Sequence, residues 1–315
     1  MKEGSLLTRK NVVIPLTMLC CLLWGSAFPC IKIGYGYSGI ASDDTTLQIF
    51  YAGLRFTLAG VFALVMASIM ARKPLLPKRS AVPKFMLLSI FQTILQYTFF
   101  YIGLARSTGM KSSVITASNV FLSILVASLI FRTEKLTIRK VMGCIIGFSG
   151  VVLINLGGID GGFRFTGEGF VFLSALSYAF SAALIKRFST SEDPVMLSGW
   201  QFVFGGFFMT VLGLILGGGM AQVNVRGILM LIYLAFVSAT AFSIWGTLLK
   251  YSPVSVISVF GFMNPVFGVI LSYLLLSERS ESGPLCVTAA LVLVALGIMT
   301  VNYVPSVNKP EKRHI

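Results

Sequence analysis

The chain has 315 residues, 56% of them hydrophobic and only 11% charged, with a formal net charge of +14. Soluble proteins carry roughly 25% charged residues, and so few here could not cover the surface of a soluble domain of this size. The apolar residues come as long blocks rather than one-sided stripes, so the solvent is lipid. The basic balance does not point to nucleic acid, because the charges occupy short connections between blocks and no basic-aromatic patch occurs.

About twenty apolar residues cross a bilayer as a helix. In chain order the spans are predicted at 12–34, 47–70, 85–105, 112–131, 138–156, 168–186, 195–216, 227–249, 255–276 and 284–304. The first follows Lys2, Arg9 and Lys10 and superficially resembles a signal peptide. It is longer than a signal core and has a counterpart in the second half, so a retained span is expected. Gly34-Tyr-Gly-Tyr-Ser-Gly39 matches a dinucleotide-binding pattern but follows an apolar helix rather than a strand, and reads as a flexible outer turn. The five cysteines all lie in apolar blocks without metal or disulfide spacing. They read as packing residues, so no metal and no cofactor is expected.

The two halves repeat one another. Asn119 precedes Glu134 by fifteen residues and Asn264 precedes Glu278 by fourteen; Trp24 and Tyr178 each stand eight residues before a lysine, Lys32 and Lys186. Gly53-Leu54-Arg55-Phe56, closing on Gly60, matches Gly199-Trp200-Gln201-Phe202, closing on Gly206. A unit of five spans cannot be followed by an equal unit in the same orientation, because five is odd. The fold class expected is therefore all-α integral membrane, ten transmembrane helices as two inverted five-helix repeats, 12–156 and 168–304, with a tail at 305–315.

Charge sets the orientation. With the N-terminus in the cytoplasm, 18 of the 25 Lys and Arg fall in inner connections. Five (Arg106, Lys111, Arg164, Arg226 and Arg279) fall outside, and Lys32 and Arg55 lie within spans. Cytoplasmic loops retain Lys and Arg, so a multi-pass protein of the cell membrane with both termini cytoplasmic is expected.

Ionisable groups inside a span cost at least about 2.5–3.5 kcal/mol near the helix centre. Arg55 and Lys32 are the two candidates. Either they set a positive field at an outer mouth for a carboxylate or other anion, or Lys32 snorkels to headgroups while Arg55 binds helix-end carbonyls or the Asp43-Asp44 loop. All eleven carboxylates fall in loops or at span ends, and the single histidine is in the tail. That disfavours strongly cationic substrates and leaves proton coupling open. The polar and aromatic span residues taken as substrate-binding are Trp24, Ser26, Gln92, Gln96, Tyr97, Tyr101, Asn119, Tyr178, Ser243, Trp245 and Asn264. Gln92, Gln96, Tyr97 and Tyr101 share a helical face, and Asn119 and Asn264 are related by the repeat. Their other use would be interhelical hydrogen bonding or interfacial anchoring. Pro29 and Pro265 interrupt their spans and are hinge candidates, or static bends.

Trp24-Gly-Ser-Ala-Phe…Lys32, Leu54-Arg-Phe…Ala59-Gly60 and Asn264-Pro-Val-Phe…Glu278-Arg279, with the weaker Asn119-Val-Phe…Glu134-Lys135, resemble motifs of the EamA-type transporters of the drug/metabolite transporter superfamily. The resemblance covers residues 12–304. It implies ten helices, a central cavity lined by spans 1, 3, 4, 6, 8 and 9, and alternating access. The commonest activity it implies is export of amino acids or related metabolites. Val120 stands where a proline is common. The partners expected are a small-molecule substrate and the lipid bilayer, with no nucleic acid, for a monomer or homodimer. The alternatives are an uncoupled facilitator of the same substrates, a membrane scaffold, and an intramembrane enzyme; the last would need a nucleophile with its base, or a metal cluster, within the spans.

Overall fold

The structure is a computed structural model describing residues 7–41, 43–104, 106–107, 112, 115–154, 163–219, 222–276 and 284–302. Among these, every regular element is helical. In chain order they are α1 (Lys10–Ser38), α2 (Thr45–Ala71), α3 (Arg79–Leu104), α4 (Ile115–Ile130), α5 (Ile138–Ile154), α6 (Phe165–Phe188), α7 (Pro194–Ile215), α8 (Val225–Tyr251), α9 (Val254–Leu276) and α10 (Pro284–Asn302).

Seven of them, α1–α3 and α6–α9, are long and apolar enough to cross a membrane. The expected spans 112–131, 138–156 and 284–304 correspond to the shorter α4, α5 and α10; residues 113–114 before α4, 155–162 after α5, and those on both sides of α10 lie outside the described set. Lys111, Glu278, Arg279 and the 305–315 tail also lie outside it.

The starts and stops follow local chemistry. Asp44 caps α2 by accepting from Leu47 N at 2.9 Å. Asp193 caps α7 by accepting from Val195 N and Met196 N, with Pro194 at the first turn where its missing N–H costs nothing. The segment expected as a flexible turn at Gly34–Gly39 is instead helical through Ser38. Its glycines do not break α1, and the stop comes at Gly39 with φ 66°.

Hydrogen bonds sort the connections into two groups. At one end, Lys84 pairs with Glu192 at 2.7 Å, Trp200 Nε1 donates to Leu75 O, and Glu134 joins the α4–α5 turn to Ser255. At the other, Gln222 N donates to Ser38 O, Asn224 Nδ2 to Tyr37 O, and Ser107 Oγ to Glu168. The first bonds join the 2–3 connection with 6–7 and 4–5 with 8–9; the second join 1–2 with 7–8 and 3–4 with the start of α6.

Helix packing is most extensive between α2 and α7, then between α5 and α10, with α1 lying against α8 and α9 and α6 against α3 and α4. Lipid tails are as apolar as leucine, so close backbone approach rather than hydrophobic burial holds such helices together. At the α2–α7 crossing a Cβ on Gly60 would lie 2.5 Å from Gly199 O and 2.6 Å from Val203 N. One on Gly206 would lie 2.4 Å from Thr57 N. The α5–α10 seam is built alike, with a Cβ on Gly297 2.6 Å from Gly147 N and 2.7 Å from Gly143 O.

Candidate functional site

An aromatic column runs from α1 through α8, α7 and α2 to α3. Trp24 on α1 meets Phe242 and Trp245 on α8 edge-on at 5.0 and 4.9 Å. Phe242 meets Phe202 at 4.9 Å, Phe202 stacks on Phe56 at 5.2 Å, and Phe56 lies 4.3 Å from Tyr97. Tyr97 leads to Tyr101 at 6.3 Å. Helices α1, α2, α3, α7 and α8 all contribute.

Beside this column lies a cavity of about 10 Å³ whose lining includes Gln92, Tyr178, Ser181, Ser198, Phe242 and Trp245. Gln92 is placed there by a local change of helical pitch: residues Ile90–Leu95 of α3 form a π-turn, which widens the helix and re-aims the side chains after it. Next to Gln92 in the chain, Thr93 Oγ1 donates at 2.7 Å to the fully buried Gln201 of α7, whose Nε2 has no partner.

Buried polar atoms in proteins are nearly always hydrogen-bonded, because leaving one dry costs about 1–3 kcal/mol. Here several are not. Trp24 Nε1, Gln92 Oε1, Gln96 Oε1, Ser243 Oγ, Trp245 Nε1 and Asn264 Oδ1 are all buried without a partner. Each belongs to a residue picked from the sequence as substrate-binding. Gln92 and Trp245 of this set line the cavity, and unsatisfied donors and acceptors of this kind are what a polar ligand or its waters would complete.

The remaining candidates are distributed differently. Ser26 bonds Leu23 O and the hydroxyl of Tyr233, an exposed residue of α8, so it leaves the cavity for the outer α1–α8 seam. Asn119 directs its amide toward Gly261 of α9, and the two repeat-related asparagines make no hydrogen bond to each other. Pro265 follows a 3₁₀ turn, Val259–Phe262, that breaks the regular pitch of α9. Pro29 sits inside a continuous α1, one turn beyond Gly25, where a Cβ would lie 2.4 Å from Phe267 Cβ of α9. Lys32 is exposed. Arg55 is 4% exposed and donates to Ser238 Oγ on α8 through Nε (3.2 Å) and Nη2 (3.0 Å), so its partner is neither a helix-end carbonyl nor Asp43-Asp44.

The α8–α9 turn is held from both sides. Lys186 donates to Leu249 O and Ser252 O at the C-terminal end of α8, and Glu134 accepts from Ser255 N and Ser255 Oγ at the start of α9. A cation on a helix C-terminus and a carboxylate on an N-terminus each complement the helix dipole. Lys140 Nζ closes the arrangement on Glu134 at 2.7 Å.

A profile of the EamA-like transporter family matches residues 11–156 and again 165–303. The chain belongs to that family. Among individual relatives, a WAT1-related chloroplastic protein of Arabidopsis thaliana is 26% identical over 93% of this chain and 69% of its own length. An uncharacterized transporter of Bacillus subtilis, YvbV, is 24% identical over 89% and 88%. A probable amino-acid metabolite efflux pump of Escherichia coli is 26% identical over 87% and 89%. The fold itself matches a solved crystal structure with a TM-score of 0.75, at 17% identity, over 93% of this chain and 97% of that one. This member of the EamA-like family thus shares its architecture with proteins across nearly its whole length.

Proposed function

We propose that the protein is a secondary transporter that exports small organic metabolites, amino acids or related zwitterionic and anionic compounds, across the cell membrane by alternating access. The observation that carries this is the group of unpartnered buried polar atoms on α1, α3, α8 and α9, two of which belong to Gln92 and Trp245 in the lining of the small cavity. The relative named as an amino-acid metabolite efflux pump supports the substrate class and the direction. The reading as a carrier rather than an enzyme rests on the family.

Two inverted five-helix units are supported by the two family matches and by the packing. Exchanging each helix with the one five further on turns α1–α8 into α6–α3 and α1–α9 into α6–α4, and leaves α2–α7 and α5–α10 in place; all of these pairs pack. The exchange extends to residues. A shift of 146 carries Gly60 onto Gly206 and Thr57 onto Val203, so Gly60 meeting Val203 and Gly206 meeting Thr57 are images of one contact. A cytoplasmic position for both termini is supported by the basic residues of the 2–3, 4–5, 6–7 and 8–9 connections. The latch formed by Lys186 and Glu134 would then close the cytoplasmic side, and the repeat-related Lys32 stands toward the other.

A cavity of about 10 Å³ holds about one water, whereas metabolite sites occupy roughly 300–1,000 Å³. The helices must therefore part to admit substrate. Counterflow of labelled amino acids in proteoliposomes, with and without a pH gradient, tests the proposal. Saturable exchange is expected, and its absence for every metabolite tried would refute transport. An uncoupled facilitator is the second reading, favoured because the described carboxylates sit at helix ends; it predicts flux indifferent to the pH gradient.

A further inference from the structure

Arg55 is a buried cation without a buried anion. Among the described residues, Glu134 and Glu192 pair with Lys140 and Lys84, Asp44 and Asp193 cap helices, and Glu168 accepts from Arg164 N and Ser107. Asp43, the remaining described carboxylate, is exposed, and none of the six bonds the guanidinium. Its contacts are one hydroxyl, Ser238 Oγ, which receives both Nε and Nη2, and the face of the Phe56 ring at 5.2 Å. A guanidinium has five N–H donors in a planar fork. Two of them are used, so three, the pair on Nη1 and one on Nη2, meet no acceptor on the described protein. Removing such a charge from water without a counter-ion is costly, so the fold holds an unbalanced positive charge for some purpose other than its own stability.

The walls around it are phenolic. Tyr35, Tyr51, Tyr97 and Tyr101 all lie within electrostatic reach of the guanidinium. The hydroxyls of Tyr35 and Tyr51 are buried and have no hydrogen-bond partner, Tyr35 approaching Tyr101 without reaching bonding geometry. The two rings meet edge-on at 5.4 Å, and Tyr51 is pressed against α1 so closely that a Cβ on Gly34 would lie 2.6 Å from its hydroxyl. Two dry hydroxyls and three free N–H groups, gathered from α1 and α2, make a site with donors to spare and a single positive charge.

We propose that Arg55, with Ser238 and the hydroxyls of Tyr35 and Tyr51, is a subsite for the carboxylate of an organic monoacid, whose apolar remainder lies along the Phe56–Phe202–Phe242–Trp24 column. The planar fork matches a carboxylate with two parallel bonds, and one unbalanced charge calls for a monoanion rather than a phosphate dianion. This rests on the transport function proposed above and sharpens it: the substrate is selected by its acid group, and the positive charge lies inside the bundle rather than at an exposed mouth.

The test uses the full-length protein in nanodiscs and follows melting temperature and tryptophan fluorescence. The probes are matched acids and carboxamides, namely phenylacetate, 4-methylvalerate, L-leucine and L-phenylalanine, each against its amide, together with phenyl phosphate. At least one acid should stabilise the protein in proportion to its binding, and its amide should bind at least about tenfold more weakly, the loss of a charge-assisted pair. Arg55→Gln should abolish that discrimination and Ser238→Ala reduce it. Failure of every acid to bind, equal binding of acid and amide, or preference for phenyl phosphate would overturn the subsite. So would an Arg55→Gln protein, monodisperse by gel filtration, that still prefers acids. If Arg55→Gln does not fold, unchanged acid preference in both Arg55→Lys and Ser238→Ala overturns it. Counterflow separates the two levels. Flux of a neutral compound unaffected by these substitutions would sink the subsite and leave transport standing; acid binding without any flux would do the reverse.

Discussion

Replacing Gly60 and Gly206 by alanine tests whether the α2–α7 seam is set by backbone contact. The added methyl at Gly60 would stand 2.5 Å from Gly199 O and 2.6 Å from Val203 N; at Gly206 it would stand 2.4 Å from Thr57 N and 2.8 Å from Phe56 C. All four obstacles are main-chain atoms, so no rotamer relieves them, and the helices must separate by about 1 Å to restore ordinary carbon contact. Overpacking of this kind costs about 1–3 kcal/mol. The control is the same substitution at Gly36, which is exposed within α1 with nothing within 4 Å of the added carbon. There alanine should gain about 0.5–1 kcal/mol through helix propensity. Melting of the detergent-purified protein by fluorescence-detected gel filtration should fall for Gly60→Ala and Gly206→Ala and hold or rise for Gly36→Ala. Because the two seam glycines are images of one contact, their losses should be similar, and the double variant should lose less than both together once the helices have parted. A seam variant melting at or above the parent, or a Gly36→Ala protein falling with it, would refute the reasoning.

Glu134→Ala removes the acceptor of Ser255 N, Ser255 Oγ and Lys140. It should loosen that end of the bundle, seen as faster labelling of a Ser198→Cys probe by an impermeant thiol reagent; unchanged labelling would contradict a latch. Asp193→Ala strips two N–H groups of α7 of their acceptor and should cost about 1 kcal/mol of stability. Gln92→Leu fills a cavity wall with an apolar isostere and ends the burden of a dry amide oxygen, so stability should rise or hold while counterflow falls. Loss of stability with normal flux would mean that Gln92 supports the fold instead.

The helical blocks were readable because lipid imposes one requirement, a long apolar run, and the sequence meets it with little ambiguity. The predicted 195–216 and 227–249 correspond to Pro194–Ile215 and Val225–Tyr251 within two residues at each end. The GYGYSG run misled because glycines signal a turn in water, while a membrane helix accommodates them. At the candidate site, choosing polar residues in apolar spans found Trp24, Gln92, Gln96, Ser243, Trp245 and Asn264, which share the dry polar atoms. The same rule misplaced Ser26, since a hydroxyl satisfied by its own helix costs little anywhere. What periodicity could not supply was partnership: Arg55 with Ser238 and Thr93 with Gln201 join residues 183 and 108 positions apart. Tyr35 and Tyr51 were missed because aromatic residues near span ends normally anchor to the interface. The repeat held a usable clue, since Gln201 occupies the position equivalent to Arg55.

The glycine seams also bear on how the chain is made. Helix α2 finds its closest partner only in α7, and α5 only in α10. About 120 residues separate the end of α2 from the start of α7, so at ~5–20 residues per second of synthesis α2 spends roughly 6–24 s in the bilayer before its mate emerges. During that interval its small-residue face meets lipid, or another helix that must later be displaced. The first half is therefore a waiting intermediate rather than a finished domain, and the ribosome's pace over the α3–α6 region becomes part of how this fold is assembled.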